Sequence, residues 1–383
     1  MRVVRGWKGA LALATASACA AIAVQATPAL ADAPGTLTSI TPQAAGWHGM
    51  ADGSVVTYWM ADADGTPRPA SGALFVPTGT PPAGGWPIVA WDHGTTGLGK
   101  GCGSESDPTT APDTHWHAEE DGVMQHLVAR GFAVIAPDYL GLGLFDTGPH
   151  PYLQRQTEAT ATLDLLRAAR AARPELSRTW AVMGPSQGGH AALSTGHLQA
   201  SYAPELDFRG TIAIDPASDV EKALPAIGPS TPALPGADGS TGFFADIMAG
   251  LRAARPDIDV NQYLSPLGRA VLDDIGTMCS PQIDARVAGI GIGDLLSKPL
   301  SDNRIRDAYT DYLALPTSGY NRPILLLVNI TDTMVPSPLH AALAAQLAAN
   351  GVDFRTVTGT GSHTQLNPAM WSAIDTFLDH IQN

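Results

Sequence analysis

Basic residues are scarce in this chain of 383 residues. Its 22 lysines and arginines stand against 36 aspartates and glutamates, for a net charge of −14 at pH 7. The basic residues form no cluster. Proteins that bind nucleic acid or anionic membrane surfaces use such clusters to neutralise phosphates. The charge balance therefore argues against both kinds of partner.

Long apolar runs are also absent after residue 31, so no later segment is long enough for a membrane-spanning helix. The first 31 residues differ: Arg2, Arg5 and Lys8 precede an alanine-rich apolar stretch, residues 10–24, and an A-L-A cleavage pattern ends at Ala31. This predicts a secretory signal peptide and a secreted, extracellular protein. Its cleavage removes three positive charges and no negative ones, which changes the net charge from −14 to −17.

Cysteine is equally rare. Cys19 lies in the predicted signal peptide, and a lipid anchor there is disfavoured because Ala16, three residues earlier, is not a large aliphatic residue. The mature chain keeps Cys102 and Cys279, which in an exported protein most simply form one disulfide; two buried thiols are the alternative. No cysteine or histidine spacing resembles a zinc site, and we expect neither a metal nor another cofactor.

Apolar runs typical of strands alternate with helical patterns through most of the mature chain. Residues 32–53 are predicted to be irregular, and residues 54–60 and 71–76 an antiparallel pair of strands. The remaining strands are predicted at residues 86–91, 132–136, 180–183, 211–214, 323–330 and 354–357, and helices at 119–130, 157–172, 187–199, 339–349 and 368–381. This order indicates an α/β fold with a mostly parallel sheet covered by helices on both faces.

The alternation stops between residues 216 and 321, a stretch rich in proline with several helix-like pieces. We therefore predict a core formed by residues 32–215 and 322–383 and an inserted cap, or lid, formed by residues 216–321. In open α/β sheets ligands bind at the carboxyl ends of the strands, so the cap is expected to cover that edge.

A G-x-S-x-G motif follows the strand at 180–183 and precedes a helix: Gly184, Pro185, Ser186, Gln187 and Gly188. In the α/β-hydrolase fold this strand, turn and helix hold a serine nucleophile in a strained turn. By itself the motif is weak, because the chain contains 40 glycines. Its context makes Ser186 the candidate nucleophile, although the sequence offers no reason for Pro185.

Serine hydrolases of this fold carry the catalytic acid and then the histidine after the serine in chain order. Asp332 directly follows the strand at 323–330, and His363 lies on a glycine-rich loop after the last strand. We predict a triad of Ser186, Asp332 and His363. Asp215, one strand earlier, is the alternative acid.

The other histidines fit a catalytic role less well. His190 lies on the helix after Ser186, where packing or hydrogen bonding is the better interpretation, and His93 is expected to brace the loop after the strand at 86–91. His340 and His380 lie on helices without a motif around them.

An oxyanion hole requires two backbone N–H groups directed at the developing charge. Gln187, the residue after the nucleophile, supplies one at the start of its helix. The loop after the strand at 86–91 is expected to supply the other, from Thr95. A flexible turn without this role is the alternative for that loop.

Several of these motifs occur together in one known family. They are H-G-T-T-G at 93–97, P-D-Y-L-G-L-G at 137–143, H-P-Y at 150–152, G-P-S-Q-G-G-H-A-A-L at 184–193, and Y-L-S-P at 263–266 ahead of Cys279. With them the chain resembles the secretory lipases, a family of α/β-hydrolases. The resemblance implies an exported lipase or esterase with the triad named above and residues 216–321 as its lid.

The function predicted is therefore hydrolysis of lipid or other small carboxylic esters, with contact to a lipid interface but no stable insertion into a membrane. Phe243, Phe244 and Met248 form an apolar patch that suits a fatty acyl chain, or that simply packs the lid onto the core. A disulfide between Cys102 and Cys279 would join the loop near the oxyanion hole to the lid. The alternatives are a serine peptidase on the same fold and a binding protein without catalysis.

Overall fold

The apolar runs of the sequence form one nine-stranded sheet. The structure, a computed structural model, describes Met1 and residues 32–107, 114–232 and 238–382. All but the first residue of the predicted signal peptide lies outside this part of the chain. The strands are β1 (Leu37–Pro42), β2 (Gly53–Ala61), β3 (Pro67–Phe75), β4 (Trp86–Trp91), β5 (Ala133–Pro137), β6 (Leu176–Pro185), β7 (Asp207–Ile214), β8 (Ile324–Asn329) and β9 (Phe354–Gly359).

The helices follow the strands as predicted for an α/β protein. They are α1 (Thr114–Ala129), α2 (Arg155–Ala172), α3 (Gln187–Tyr202), α4 (Val220–Ala223), α5 (Asp238–Ala254), α6 (Pro266–Ile275), α7 (Ser280–Val287), α8 (Asn303–Leu313), α9 (Ser337–Ala349) and α10 (Pro368–Gln382). Short 3-10 helices occupy Leu224–Ala226, Pro256–Ile258, Val260–Gln262 and Ile292–Leu295. No helix in the described part is long and apolar enough to cross a membrane.

The strand order across the sheet is β1-β2-β3-β5-β4-β6-β7-β8-β9. Strands β1 to β3 are antiparallel, β3 pairs antiparallel with β5, and all pairs from β5–β4 to β8–β9 are parallel. The prediction that residues 32–53 are irregular was wrong for β1. This edge strand is only partly buried, so it lacks the apolar pattern by which the central strands are identified.

Both faces of the sheet are buried at its central strands. Along β4, Ile88 and Ala90 pack into the cluster that includes side chains of α2 and α3, whereas Val89 and Trp91 pack against α1 and α10. Successive side chains of a strand point to opposite faces, so a strand buried on both sides must be apolar at every position. This burial makes β4 readable from the sequence as a continuous apolar run.

Residues 216–321 form helices rather than further strands of the sheet in the part described. The apolar side chains of α5, α6, α7 and α8 share one hydrophobic cluster with Leu98, Tyr152 and Val335. These three residues follow β4, β5 and β8, which end at the same edge of the sheet. The segment 216–321, called the cap below, therefore packs over the carboxyl ends of the parallel strands.

The cap is also joined covalently to the loop after β4 by a disulfide between Cys102 and Cys279, as expected from the sequence. Gly97 forms a β-bridge with Cys279. Leu98 N–H donates to the carbonyl of Met278, and Ser280 N–H donates to the carbonyl of Thr96. Backbone and covalent links thus fix the start of α7 to the loop that contains Thr95.

Candidate active site

Ser186 lies in the turn between β6 and α3, with φ 53° and ψ −115°, a conformation that non-glycine residues rarely adopt. The turn is tight because glycines flank it. A Cβ atom on Gly188 would lie 1.8 Å from the carbonyl oxygen of Asp92, and one on Gly184 would lie 2.4 Å from the same atom. The motif places the serine on a strained turn against the end of β4, the geometry expected of a nucleophile elbow.

His363 and Asp332 are hydrogen-bonded to each other. His363 Nδ1 lies 2.6 Å from Asp332 Oδ2. The second carboxylate oxygen of Asp332 accepts the backbone N–H groups of Met334 at 2.8 Å and Val335 at 3.2 Å. Burial alone would raise the pKa of Asp332, but hydrogen bonds from His340, His363 and the Met334 backbone hold it well below its ordinary value. The carboxylate is ionised at neutral pH, and its hydrogen bond to Nδ1 fixes the orientation of the imidazole ring.

Asp215, the alternative acid, does not contact His363. Its carboxylate accepts hydrogen bonds from the backbone and side chain of Asn329 and from Thr364 N–H, all between 2.7 and 2.8 Å. Thr364 has a φ of 64°. Asp215 therefore holds the strained residue next to His363 in place, which is a positioning role for the loop.

His340 is a further member of this site that sequence reasoning missed. Its Nε2 lies 3.3 Å from Asp332 Oδ2 and 3.9 Å from an oxygen of Asp215, while Nδ1 lies 3.2 Å from Ser218 Oγ. Ligand atoms of His340, Asp215 and Asp332 lie within 4.8 Å of one another, a spacing that a metal ion also requires. Every oxygen of the two carboxylates, however, already accepts a hydrogen bond within the protein.

Ser186 and His363 line the same cavity, which has a volume of about 160 Å³. His363 Nε2 is buried and has no hydrogen-bond partner among the described residues, so Ser186 Oγ does not bond to it. Hydrogen bonds between catalytic groups are often long in structures without substrate and shorten when substrate binds. Ser186 and His363 therefore line one cavity, but Ser186 Oγ and His363 Nε2 are not hydrogen-bonded to each other.

Of the two residues predicted for the oxyanion hole, Thr95 lines this cavity, and Gln187 directly follows Ser186 in the chain. The hydroxyl of Thr95 is 2.8 Å from the hydroxyl of Tyr152. His93 braces the same loop, with Nδ1 2.6 Å from the carbonyl oxygen of Gly94. Gln187 is the first residue of α3, a position whose N–H has no acceptor within the helix.

A buried polar network lies beneath the nucleophile. The side-chain amide of Gln187 is 2.9 Å from Glu158 and 2.7 Å from His150, and His190 Nδ1 is 2.6 Å from the other oxygen of Glu158. His190 Nε2 reaches the carbonyl oxygen of Leu313 in the cap. Burial alone would lower the pKa of His190, but the charge of Glu158 raises it. His190 therefore has the hydrogen-bonding role that its position predicted, and it ties α3 to α2 and to the cap.

The apolar patch of the cap is divided between two faces of α5. Phe243 lines the cavity, whereas Phe244 and Met248 are buried in the cap's own hydrophobic cluster and do not line it. Met248 accepts a hydrogen bond from Tyr309 at its sulfur. Helical geometry separates Phe243 from its neighbour by about 100°, so both phenylalanines cannot face the same cavity. The prediction that Phe244 and Met248 contact the substrate is therefore corrected.

The nine-stranded sheet, the strained serine turn and the cap over the carboxyl edge define an α/β-hydrolase. Candida antarctica lipase A superposes with a TM-score of 0.75 over 91% of this chain and 83% of that one, at 19% identity. The rice cell wall degrading esterase LipA from Xanthomonas oryzae gives a TM-score of 0.70 over 91% and 97%, at 22% identity. At these identities the similarity shows the fold, which confirms the fold class predicted.

The family model of the secretory lipases matches residues 111–375, and this chain belongs to that family. The family resemblance seen in the sequence is thereby confirmed. A curated relative, named as a probable inactive lipase, comes from Mycobacterium tuberculosis; it is 26% identical over 239 residues, or 59% of this chain. The match spans about half, 49%, of that relative's length.

Proposed function

We propose that this protein is a secreted serine hydrolase that cleaves carboxylic esters of lipids through Ser186, Asp332 and His363. The observation that carries the proposal is the 2.6 Å contact between His363 and an ionised Asp332 on a cavity shared with Ser186. Membership of the secretory lipase family supports a lipid ester as substrate. The disulfide between Cys102 and Cys279 is consistent with an oxidising, extracellular environment.

In this proposal, His363 Nε2 takes the proton from Ser186 Oγ as the oxygen attacks the ester carbonyl. Asp332 keeps the other ring nitrogen protonated and stabilises the imidazolium that forms. His363 then donates the proton to the departing alcohol, which leaves an acyl-enzyme on Ser186. Water, activated by the same imidazole, releases the acid and restores the serine.

The N–H groups of Thr95 and Gln187 would bind the oxyanion of the tetrahedral intermediate, at the positive end of the α3 dipole. The lid role of residues 216–321 is part of the proposal as well, since α5 and α7 contribute Phe243 and Ile283 to the cavity wall. These two side chains would contact the acyl chain, in place of the buried Phe244 and Met248.

A fluorophosphonate probe tests the nucleophile directly, because it reacts only with an activated serine. We expect labelling of the protein and loss of labelling in Ser186→Ala, with a fall in kcat of at least about 1,000-fold. Ser280→Ala is the matched control, because Ser280 lines the same cavity. Labelling that persists in Ser186→Ala, or that is lost in Ser280→Ala instead, would refute the assignment.

The substrate class needs a second measurement. Rates on nitrophenyl esters from short to long acyl chains, with and without an oil–water interface, are compared with rates on aminoacyl-nitroanilides. Ester hydrolysis that exceeds anilide hydrolysis supports the proposal, and the reverse order would make the protein a peptidase.

A binding protein without catalysis is the second candidate, because Ser186 does not bond to His363 and the relative from M. tuberculosis is named as a probable inactive lipase. Such a protein would bind a lipid ester in the same cavity and leave it intact. Binding of an ester without probe labelling and without product release would favour this candidate.

A further inference from the structure

Asp246 lines the cavity and has no part in the mechanism above. The cap helix α5 turns Gly239, Gly242, Phe243 and Asp246 toward the cavity, at the spacing i, i+3, i+4 and i+7 that lies along one face of a helix. Asp246 is the acidic member of this face, within the otherwise apolar run F-F-A-D-I-M. Asp246 therefore borders the same space as Ser186 and His363.

The carboxyl group of Asp246 is buried without a partner for one of its oxygens. The residue is 2% exposed, and Oδ1 has no hydrogen-bond partner among the described residues. Burial raises the pKa of Asp246 well above its ordinary value, and the negative charge of Asp284 raises it further. A hydroxyl or ammonium donor bound to this carboxyl group would stabilise its ionised form and lower the pKa again. A buried polar atom without a partner costs stability, so its presence at a cavity requires an explanation.

Other acidic residues of the cavity wall favour a ligand that carries a hydrogen-bond donor. Glu120 and Asp284 also line the cavity, and no lysine or arginine occurs among the described residues of its lining. A surface with this charge attracts hydroxyl and ammonium groups and repels carboxylates. An unsubstituted acyl chain could neither satisfy the Asp246 oxygen nor benefit from the negative potential.

We propose that Asp246 is a specificity residue that accepts a hydrogen bond from a hydroxyl or protonated amine on the ester substrate. The preferred substrates are then esters with a polar donor group, rather than esters of unsubstituted fatty acids and simple alcohols. This inference rests on the proposed ester hydrolysis at Ser186. The donor group would lie on the acyl or on the alcohol part of the ester, and the substrates below distinguish the two.

The test compares kcat/KM by titration of released acid on two matched sets of esters. The acyl set is methyl hexanoate, methyl ω-hydroxyhexanoate and methyl ω-aminohexanoate; the alcohol set is ethyl, hydroxyethyl and dimethylaminoethyl butanoate. For the wild type, we expect kcat/KM for the donor-bearing esters of one set to be about 10-fold or more above kcat/KM for the unsubstituted ester of that set. This is the usual effect of one hydrogen bond to a charged group.

Two variants separate the charge of Asp246 from its capacity to accept a hydrogen bond. Asp246→Leu should lower the ratio of kcat/KM for donor-bearing esters to kcat/KM for the unsubstituted ester to about 1, for both donors. It should also raise Tm, because the unpaired buried carboxyl is removed. Asp246→Asn keeps an acceptor oxygen without the charge, so it should retain the hydroxyl preference and lose the ammonium preference. Asp307→Leu, an exposed position on α8, is the control for the change in net charge.

The proposal would be overturned if the ratio of kcat/KM for donor-bearing esters to kcat/KM for the unsubstituted ester is the same in the wild type and in Asp246→Leu on both ester sets. Loss of this ratio in Asp307→Leu would also overturn it, because the effect would then come from net charge. Failure of the proposed function has a different result, in which no ester of either set is hydrolysed and Ser186 is not labelled. Hydrolysis with unchanged ratios overturns only the role of Asp246.

Discussion

Gly188 allows the nucleophile turn to approach the end of β4, and its replacement by alanine tests how much the site depends on that approach. The new Cβ would lie 1.8 Å from the carbonyl oxygen of Asp92 and 2.8 Å from that of His93. Both atoms belong to the backbone, so no side-chain rotation relieves the clash. Contacts of real Cβ atoms are essentially never closer than 3.0 Å, so α3 and the loop after β4 must separate by about 1 Å.

This separation affects stability and catalysis to different extents. Overpacking of a core position costs about 3 kcal/mol at the upper end of its usual range. At about 2 °C per kcal/mol, Tm should fall by about 6 °C. A displacement of about 1 Å between Ser186 and Thr95 should lower kcat about 100-fold, because the two proposed oxyanion donors, Thr95 and Gln187, lie on the two sides of the clash.

The assay is a thermal melt together with steady-state kinetics on a soluble ester. Gly122→Ala is the matched control, because no atom lies within 4 Å of a Cβ at this position inside α1. It should stabilise the protein by about 0.5–1 kcal/mol and leave kcat unchanged. Gly188→Ala with the Tm and kcat of the wild type would refute the proposed packing of the turn.

Three further predictions concern other parts of the molecule. Asp332→Asn should lower kcat about 10,000-fold on the same ester, as expected when a triad histidine loses its acid; a loss under 10-fold would contradict the assignment. Replacement of Cys102 and Cys279 by serine should cost about 2–5 kcal/mol in a thermal melt and reduce rates on long-chain esters more than on short ones; equal loss on both would exclude an effect on the cap. Burial alone would lower the pKa of His48, but its hydrogen bond to Asp121 raises it to about 9. Its contribution to stability is therefore complete below about pH 6.5 and is lost as the pH rises through 9, so melts from pH 6 to 10 should show a fall in Tm that His48→Gln reduces. An unchanged fall in that variant would exclude His48 as its source.

The parts of the fold that could be predicted are those whose burial leaves a pattern in the chain. Strands β4, β6 and β8 are buried along most of their length, so they appear as apolar runs, and the residues that follow them lie at one edge of the sheet. Strand β1 has no buried residue and lacks such a pattern. This contrast explains why β2 and β3 were predicted as an antiparallel pair, while β1, which pairs with β2, was missed.

The site divides in a similar way. Ser186 could be predicted from a local motif, and the residue order after β8 and β9 indicated Asp332 and His363. His340 contacts Asp332 only because α9 packs beside β8, and no local pattern reports that contact. An apolar cluster also does not reveal which face of its helix meets the cavity, so Phe244 and Met248 were assigned to the wrong side. Asp246, a single acidic residue in that cluster, was the signal that could have identified the cavity face.

The links between Cys279 and the loop after β4 have a consequence for the rigidity of the cavity. Helix α7 is fixed to the loop of Thr95 by the disulfide and by the two backbone hydrogen bonds of the bridge between Gly97 and Cys279. Ser280 and Ile283 on α7 therefore form a stationary wall that keeps its distance from Thr95. Because α5 shares one hydrophobic cluster with α7, this attachment extends to both helices of the cavity wall, and Thr95, a proposed oxyanion donor, keeps its position relative to them.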